Sequence, residues 1–151
     1  MRRAVLTAVS LATLWMSASV ATPAQAMTVL QVDLPGLVKA SELVLEGTVS
    51  QTRVIDRRKE GRSVWTEYSL SVAEVWKGDP KLAGKTFTWK QLGGTTADGI
   101  TVAVPGMPKF ASGDEVVLML EKTKDGHTLT GGPQGRWIVR KDVSGRKMAT
   151  R

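Results

Sequence analysis

The sequence predicts an all-β domain: a small, partly open barrel of five to six antiparallel strands behind a short N-terminal helix. Three observations predict it. Two apolar-alternating stretches, one from Leu43 and one ending at Trp76, flank a polar tip. A glycine, Gly47, stands in the middle of the first stretch. The alternation of the second slips by one residue at Ala73-Glu74.

The elements follow in chain order. Asp33-Leu34-Pro35 reads as a helix start, with Asp33 as N-cap and Pro35 in the first turn. Leu34, Leu37 and Val38 give that helix one apolar side, and it should run from Leu34 to about Lys39 or Ser41. In the first strand Leu43, Leu45, Gly47 and Val49 share one face and Glu46, Thr48 and Ser50 the other. The run Arg57-Arg58-Lys59-Glu60-Gly61-Arg62 is a polar hairpin tip. In the returning strand Val64, Thr66, Tyr68, Leu70 and Val72 point inward, and after the slip Val75 resumes the inner face. One extra residue in a strand is the sequence mark of a β-bulge. Lys77-Gly78-Asp79-Pro80 ends the strand.

Residues 85–91 predict a third strand with Phe87 and Trp89 inside. Residues 93–113 form a Gly/Pro-rich connection holding a short strand near 100–104. Residues 116–120 are apolar on both parities, as in a central strand covered on both sides. Residues 127–130 and 136–140 predict two more strands, joined through Gly131-Gly132-Pro133, and the tail from Asp142 reads as loose. A small barrel must coil its long first strand, and glycine or a bulge permits the bend. Gly47 and the Ala73-Glu74 slip both meet that demand. Strand number and the long hairpin favour a partly open Greek-key barrel of the OB type.

The N-terminus predicts export. Arg2 and Arg3 form a positive n-region, residues 4–20 are apolar but interrupted by Thr and Ser, and Ala24-Gln25-Ala26 is an A-x-A cleavage site. A retained anchor is the alternative, but the stretch is short and interrupted for a span. Residues 1–26 are therefore expected to be a signal peptide and residues 27–151 one domain. Of 21 Lys and Arg, two leave with the signal; the 19 that remain face 14 Asp and Glu, a net charge of +5. That balance favours acidic partners or an anionic envelope surface and, outside the cytoplasm, makes nucleic acid a poor expectation. After cleavage no segment could cross a membrane.

The absence of Cys removes thiol nucleophiles, thiolate metal sites and redox chemistry. His127 is the one histidine, expected as an exposed strand or turn residue, and no H-E-x-x-H, P-loop or G-x-S-x-G run occurs. Asp114 and Glu115 are adjacent and face opposite sides of a strand. The expectation is a non-catalytic protein without cofactor. Arg53, Arg57, Arg58, Lys59 and Arg62 cluster at the first hairpin tip, and in OB-folds the equivalent loop borders the ligand groove. Trp65 and Trp76 lie off the inner face or at its end and could stack on a ligand. The plainer alternative is a solvated tip with the tryptophans packed under a helix. Residues 93–108 are long for a connector. Their Val102, Val104 and Met107, with Phe110, either cover a barrel end or line a ligand site, which makes Met107 a candidate.

The motifs "SELVLEGTV" and "YSLSVAEVWKG" resemble the netrin-like domain, an OB-fold module of the tissue inhibitors of metalloproteinases. Glu42, Leu43, Val44 and Leu45 match its first strand; Tyr68, Leu70, Val72, Val75, Trp76, Lys77 and Gly78 match its second. Gly47, Tyr68, Lys77 and Gly78 are the structural positions this reading singles out. The chain is also similar to secreted bacterial proteins with "F-x-x-G-D/E-E-V" and "G-x-x-Q-G" runs, here Phe110 to Val116 and Gly132 to Gly135. The resemblance implies a protein-binding module, with a zinc protease as one partner. In that reading the Met27 amine and carbonyl would meet the zinc and Thr28 would enter the protease pocket. The inhibitors carry an N-terminal Cys and clamping disulfides, which this chain lacks. An envelope-associated domain using its basic face, and an OB-type binder of oligosaccharide or nucleic acid, are the alternative functions.

Overall fold

The computed structural model describes residues 30–151. The expected signal peptide, Met27 and Thr28 lie outside the described residues. Among the described residues the fold is all-β and antiparallel with one short α-helix. Helix α1 spans Leu34–Ala40, and the Asp33 carboxylate accepts from the Gly36 amide at 3.0 Å, capping it as expected. The strands are β1 (Leu43–Asp56), β2 (Val64–Lys77), β3 (Thr86–Leu92), β4 (Gly94–Thr95), β5 (Thr101–Val102), β6 (Glu115–Thr123), β7 (Gly126–Leu129), β8 (Arg136–Lys141) and β9 (Lys147–Thr150).

The main sheet runs β3-β2-β1-β6-β8-β9, and β7 also pairs with β6. Its β6-β1-β2-β3 portion has three consecutive strands with a later one returned beside the first, which is a Greek key. Strands β7 and β8 share one edge of β6: Leu120 pairs with Leu129, while Val116 pairs with Ile138. Strand β7 comes round beside β3, where the rings of Phe87 and His127 meet edge to face at 5.1 Å. No ladder joins β3 to β7 among the described residues, so the barrel is open there. Seven strands in the main sheet exceed the five to six expected. The surplus comes from the tail: the Asp142 carboxylate accepts from the Ser144 and Arg146 amides, closes a turn, and lets β9 pair with β8. The tail is thus a hairpin, although its side chains are exposed.

The bends lie where the sequence breaks its alternation. Gly47 pairs with Val72 and Glu46 with Glu74, which leaves Ala73 as the bulged residue. Two further shifts leave Trp76 and Ser50 unpaired in the β1–β2 ladder. The extra residues raise the local twist and turn one long hairpin into two walls of the barrel. Gly47 is needed for close approach. A Cβ there would overlap the Ser71 carbonyl oxygen across the ladder.

Inside, Leu43, Leu45, Val49, Leu70, Leu118 and Leu120 surround a stack of Tyr68 on Trp89 at 5.1 Å, with the Phe110 ring edge-on to both. The second parity of β1 and β6 supplies Val44, Val117 and Met119, which pack under Leu37 of α1. The double-sided apolar pattern of β6 is therefore a strand between barrel core and helix. Trp137 joins this outer cluster, whereas Trp65 and Trp76, expected under a helix in the plainer reading, lie elsewhere; Trp76 is 56% exposed.

The resembling motifs have structural work to do. Lys77 Nζ donates to the carbonyls of Val38 at 2.8 Å and Ser41 at 2.6 Å, satisfying the orphan acceptors at the end of α1. Gly78 takes φ +119° and leaves room for Leu43. Asp114 accepts from the Ala111 amide at 2.8 Å and Gly113 donates to the Val49 carbonyl at 2.8 Å, which fixes the entry to β6. Gln134 grips the N-terminal segment: Oε1 accepts from the Val32 amide at 2.9 Å and Nε2 donates to the Leu30 carbonyl at 2.8 Å. Gly135 packs so closely that a Cβ would lie 2.6 Å from the Thr130 oxygen.

Candidate binding grooves

The first groove forms on the outer face of the β1–β2–β3 wall. Strand pairing places Ile55 opposite Trp65, and Glu67 opposite Lys90. At the tip, a 3-10 turn over Arg58–Glu60 closes through Gly61 at φ +68°, and the Arg62 amide donates to the Arg57 carbonyl at 3.0 Å. Arg57 and Arg62 then stand at one end of the face. Lys124 and Asp125 come to it from the β6–β7 turn. Together with Ser63 these residues enclose a groove of 470 Å³ around Trp65.

Four cations meet one carboxylate there. Among the described residues Arg57, Arg62 and Lys124 form no ion pair, while Lys90 stands 3.8 Å from Glu67. Glu67 is itself held by Arg53 at 2.6 Å, so its charge is largely answered at the groove's border. The groove therefore keeps a net positive field beside an aromatic ring.

The five basic residues of the tip divide. Arg57 and Arg62 line the groove; Arg53 borders it; Lys59 lies on the exposed 3-10 turn. Arg58 turns the other way. Its guanidinium binds both oxygens of Asp56, at 2.9 and 2.7 Å, and reaches Asp98 at 2.9 Å, so it ties the tip to the long connection. Hydrogen bonds from the Arg58 side chain, then from its amide, hold the Asp56 carboxyl down at about 2. Asp98 is lowered by the Thr96 hydroxyl and then by Arg58, and Arg58 itself is raised. Arg58 is a fastening residue in this geometry. Lys90 and Lys124 were not legible as site residues, because they come from β3 and from the β6–β7 turn. The one available signal was the OB-type expectation that such elements border a common groove.

A second cavity, of 300 Å³, lies on the inner side of the same wall beneath residues 93–110. Here Met107 joins Val54, Val102, Val104 and Phe110 over Tyr68 and Gln91. The long connection thus covers a barrel end and leaves space under it. Burial pushes the Tyr68 hydroxyl up from its ordinary value. Its neighbour Thr66 donates to the Gly93 carbonyl at 2.7 Å.

The remaining candidates are placed as follows. Trp76 stands at the far end of β2, away from the groove. His127, expected to be exposed, is half-buried, with its ring against Phe87 and Nε2 3.8 Å from Glu42. The segment Leu30 to Val32 is not a strand and is held by Gln134. Among the described residues no helix is long and apolar enough to cross a membrane. No family model, curated protein or solved structure matches the chain.

Proposed function

We propose that the chain is an exported, non-catalytic binding module of the OB type that seats an acidic segment of another exported protein in the Trp65 groove. The observation that carries this reading is the meeting of Arg57 and Arg62 from the first hairpin tip with Lys124 from the β6–β7 turn in the one groove that Trp65 also lines. Trp and Arg are the residue types that dominate binding energy at protein interfaces. Unpaired cations steer acidic partners and set register. In OB-folds the face of strands 2 and 3, between these two loops, is where extended ligands lie. Export is supported by the Arg2-Arg3 start and by Ala24-Gln25-Ala26. A zinc protease as partner is supported only by the resemblance of the β1 and β2 motifs. An anionic oligosaccharide is the second reading, favoured by the single Trp65 face on which a sugar ring could stack.

The test titrates the mature chain with a Glu-rich decapeptide and with a sulfated oligosaccharide, following Trp fluorescence at low and high salt. Peptide binding should weaken as salt rises. The double variant Arg57→Glu, Lys124→Glu should weaken it about tenfold or more, since an opposite-charge pair at ~4 Å contributes about 1 kcal/mol even in water. Its unfolding midpoint should stay near wild type. Equal peptide affinity for the variant and wild type would sink the proposal; binding of the oligosaccharide alone would select the second reading.

A further inference from the structure

We propose that the cavity beneath residues 93–110 is a second binding site, for a small, uncharged, mostly apolar molecule carrying a carbonyl acceptor. The cavity has 300 Å³, at the lower end of the range of about 300–1,000 Å³ for small-molecule pockets. Its wall is apolar where the connection folds over it, through Val102, Val104, Met107 and Phe110. One residue of the lining carries an unanswered polar group. Gln91 is 3% exposed, lines the cavity, and its side-chain Nε2 is buried without a hydrogen-bond partner. A buried donor left unpaired costs stability, and native proteins pair nearly all such groups. A ligand carbonyl would pair it.

The charge pattern sets the ligand class. No carboxylate lines the cavity, and Lys109 is its one charged residue, on the exposed side. The pocket therefore asks for apolar body and one acceptor. The site is also separate from the Trp65 groove. Successive residues of a strand face opposite sides, so Trp65 and Lys90 point outward while Thr66 and Gln91 point inward. Loss of one site leaves the other intact.

The probes are acetanilide, a compact ring with one amide carbonyl, and n-propylbenzene, which has similar bulk and no acceptor. NMR follows the Met107 methyl and the Gln91 side-chain amide in the full mature chain. Acetanilide should shift both signals and bind about tenfold tighter than n-propylbenzene, the margin of one buried hydrogen bond. In Gln91→Met, which keeps the bulk and removes the donor, acetanilide should lose its advantage and bind more weakly than n-propylbenzene, because its amide would be buried unpaired, and the unfolding midpoint without probe should not fall. A Met107 methyl unmoved by either probe up to its solubility, or equal binding of the two probes to wild type, would overturn the proposal. So would a lower midpoint for Gln91→Met, since it would mean that the amide is already paired in solution. The wild-type comparison stands whether or not the variant folds.

Discussion

Placing a side chain at Gly47 should loosen the barrel at its principal bend. The obstacle to any Cβ there is backbone: the Ser71 carbonyl oxygen overlaps its position, and the Leu70 Cγ and Ser71 carbonyl carbon stand 3.0 Å from it. A flexible side chain could swing away from such a clash, but a carbonyl in the middle of a ladder cannot. Relief requires β1 and β2 to part around the Thr48–Ser71 pair, next to the Ala73 bulge. Overpacking of this kind costs about 1–3 kcal/mol, and weakening one or two ladder bonds adds about 1 kcal/mol. Gly47→Val should therefore destabilise by about 2–4 kcal/mol. Since the clash is with Cβ, Gly47→Ala should lose nearly as much. Strand propensity argues the opposite sign, because Val is favoured over Gly in strands by up to ~1 kcal/mol. Urea denaturation followed by tryptophan fluorescence, to which the buried Trp89 contributes, decides between them, with Thr48→Val as a control that adds no bulk. A midpoint for Gly47→Val at or above wild type would refute the close approach. A cost for Val far above that for Ala would place the obstacle beyond Cβ.

Three further outcomes can be checked. Lys77→Met should cost about 1.5–3 kcal/mol, the range for hydrogen bonds to a charged group, and should speed amide exchange in the last turn of α1, whose carbonyls Lys77 caps. Asp56 should titrate near 2, below its ordinary 3.8, because Arg58 favours its ionised form. A depressed carboxylate stabilises the fold above its unfolded pKa, so the Asp56–Arg58 contribution at the hairpin tip should be complete above about pH 4 and lost as pH falls toward about 2. Carbon-detected NMR titration reads the midpoint directly, and Arg58→Gln should return it toward about 4; an Asp56 midpoint near 4 in wild type would contradict the pairing. Gln134→Leu should release Leu30 to Val32, seen as loss of exchange protection at the Val32 amide while the barrel midpoint changes little.

Much of the fold was written locally. Asp33 caps α1 and Pro35 enters its first turn because the orphan amides of any helix start need such residues. The inward set Val64, Thr66, Tyr68, Leu70 and Val72 follows from the pleat, and the slip at Ala73 shows because one extra residue inverts every side chain beyond it. The two-sided burial of β6 could be read from its unbroken apolar run, since each parity meets a different layer. The basic tip was likewise visible as composition. What composition could not decide was direction. Arg57 and Arg58 are neighbours, yet one faces a groove and the other fastens the tip to Asp98, forty residues on. Lys90 and Lys124 join Arg57 only because the bulged β1–β2 hairpin coils far enough to bring β7 beside β3. Gln91 becomes an unanswered donor only because residues 93–110 close over it. The sequence by itself determined most of the strands, their inner faces and the bend at Gly47 and Ala73, because alternation and its breaks are properties of neighbouring residues. The grooves belong to the tertiary structure, because their walls are set by how much twist accumulates across the whole sheet, and no short stretch of chain carries that sum.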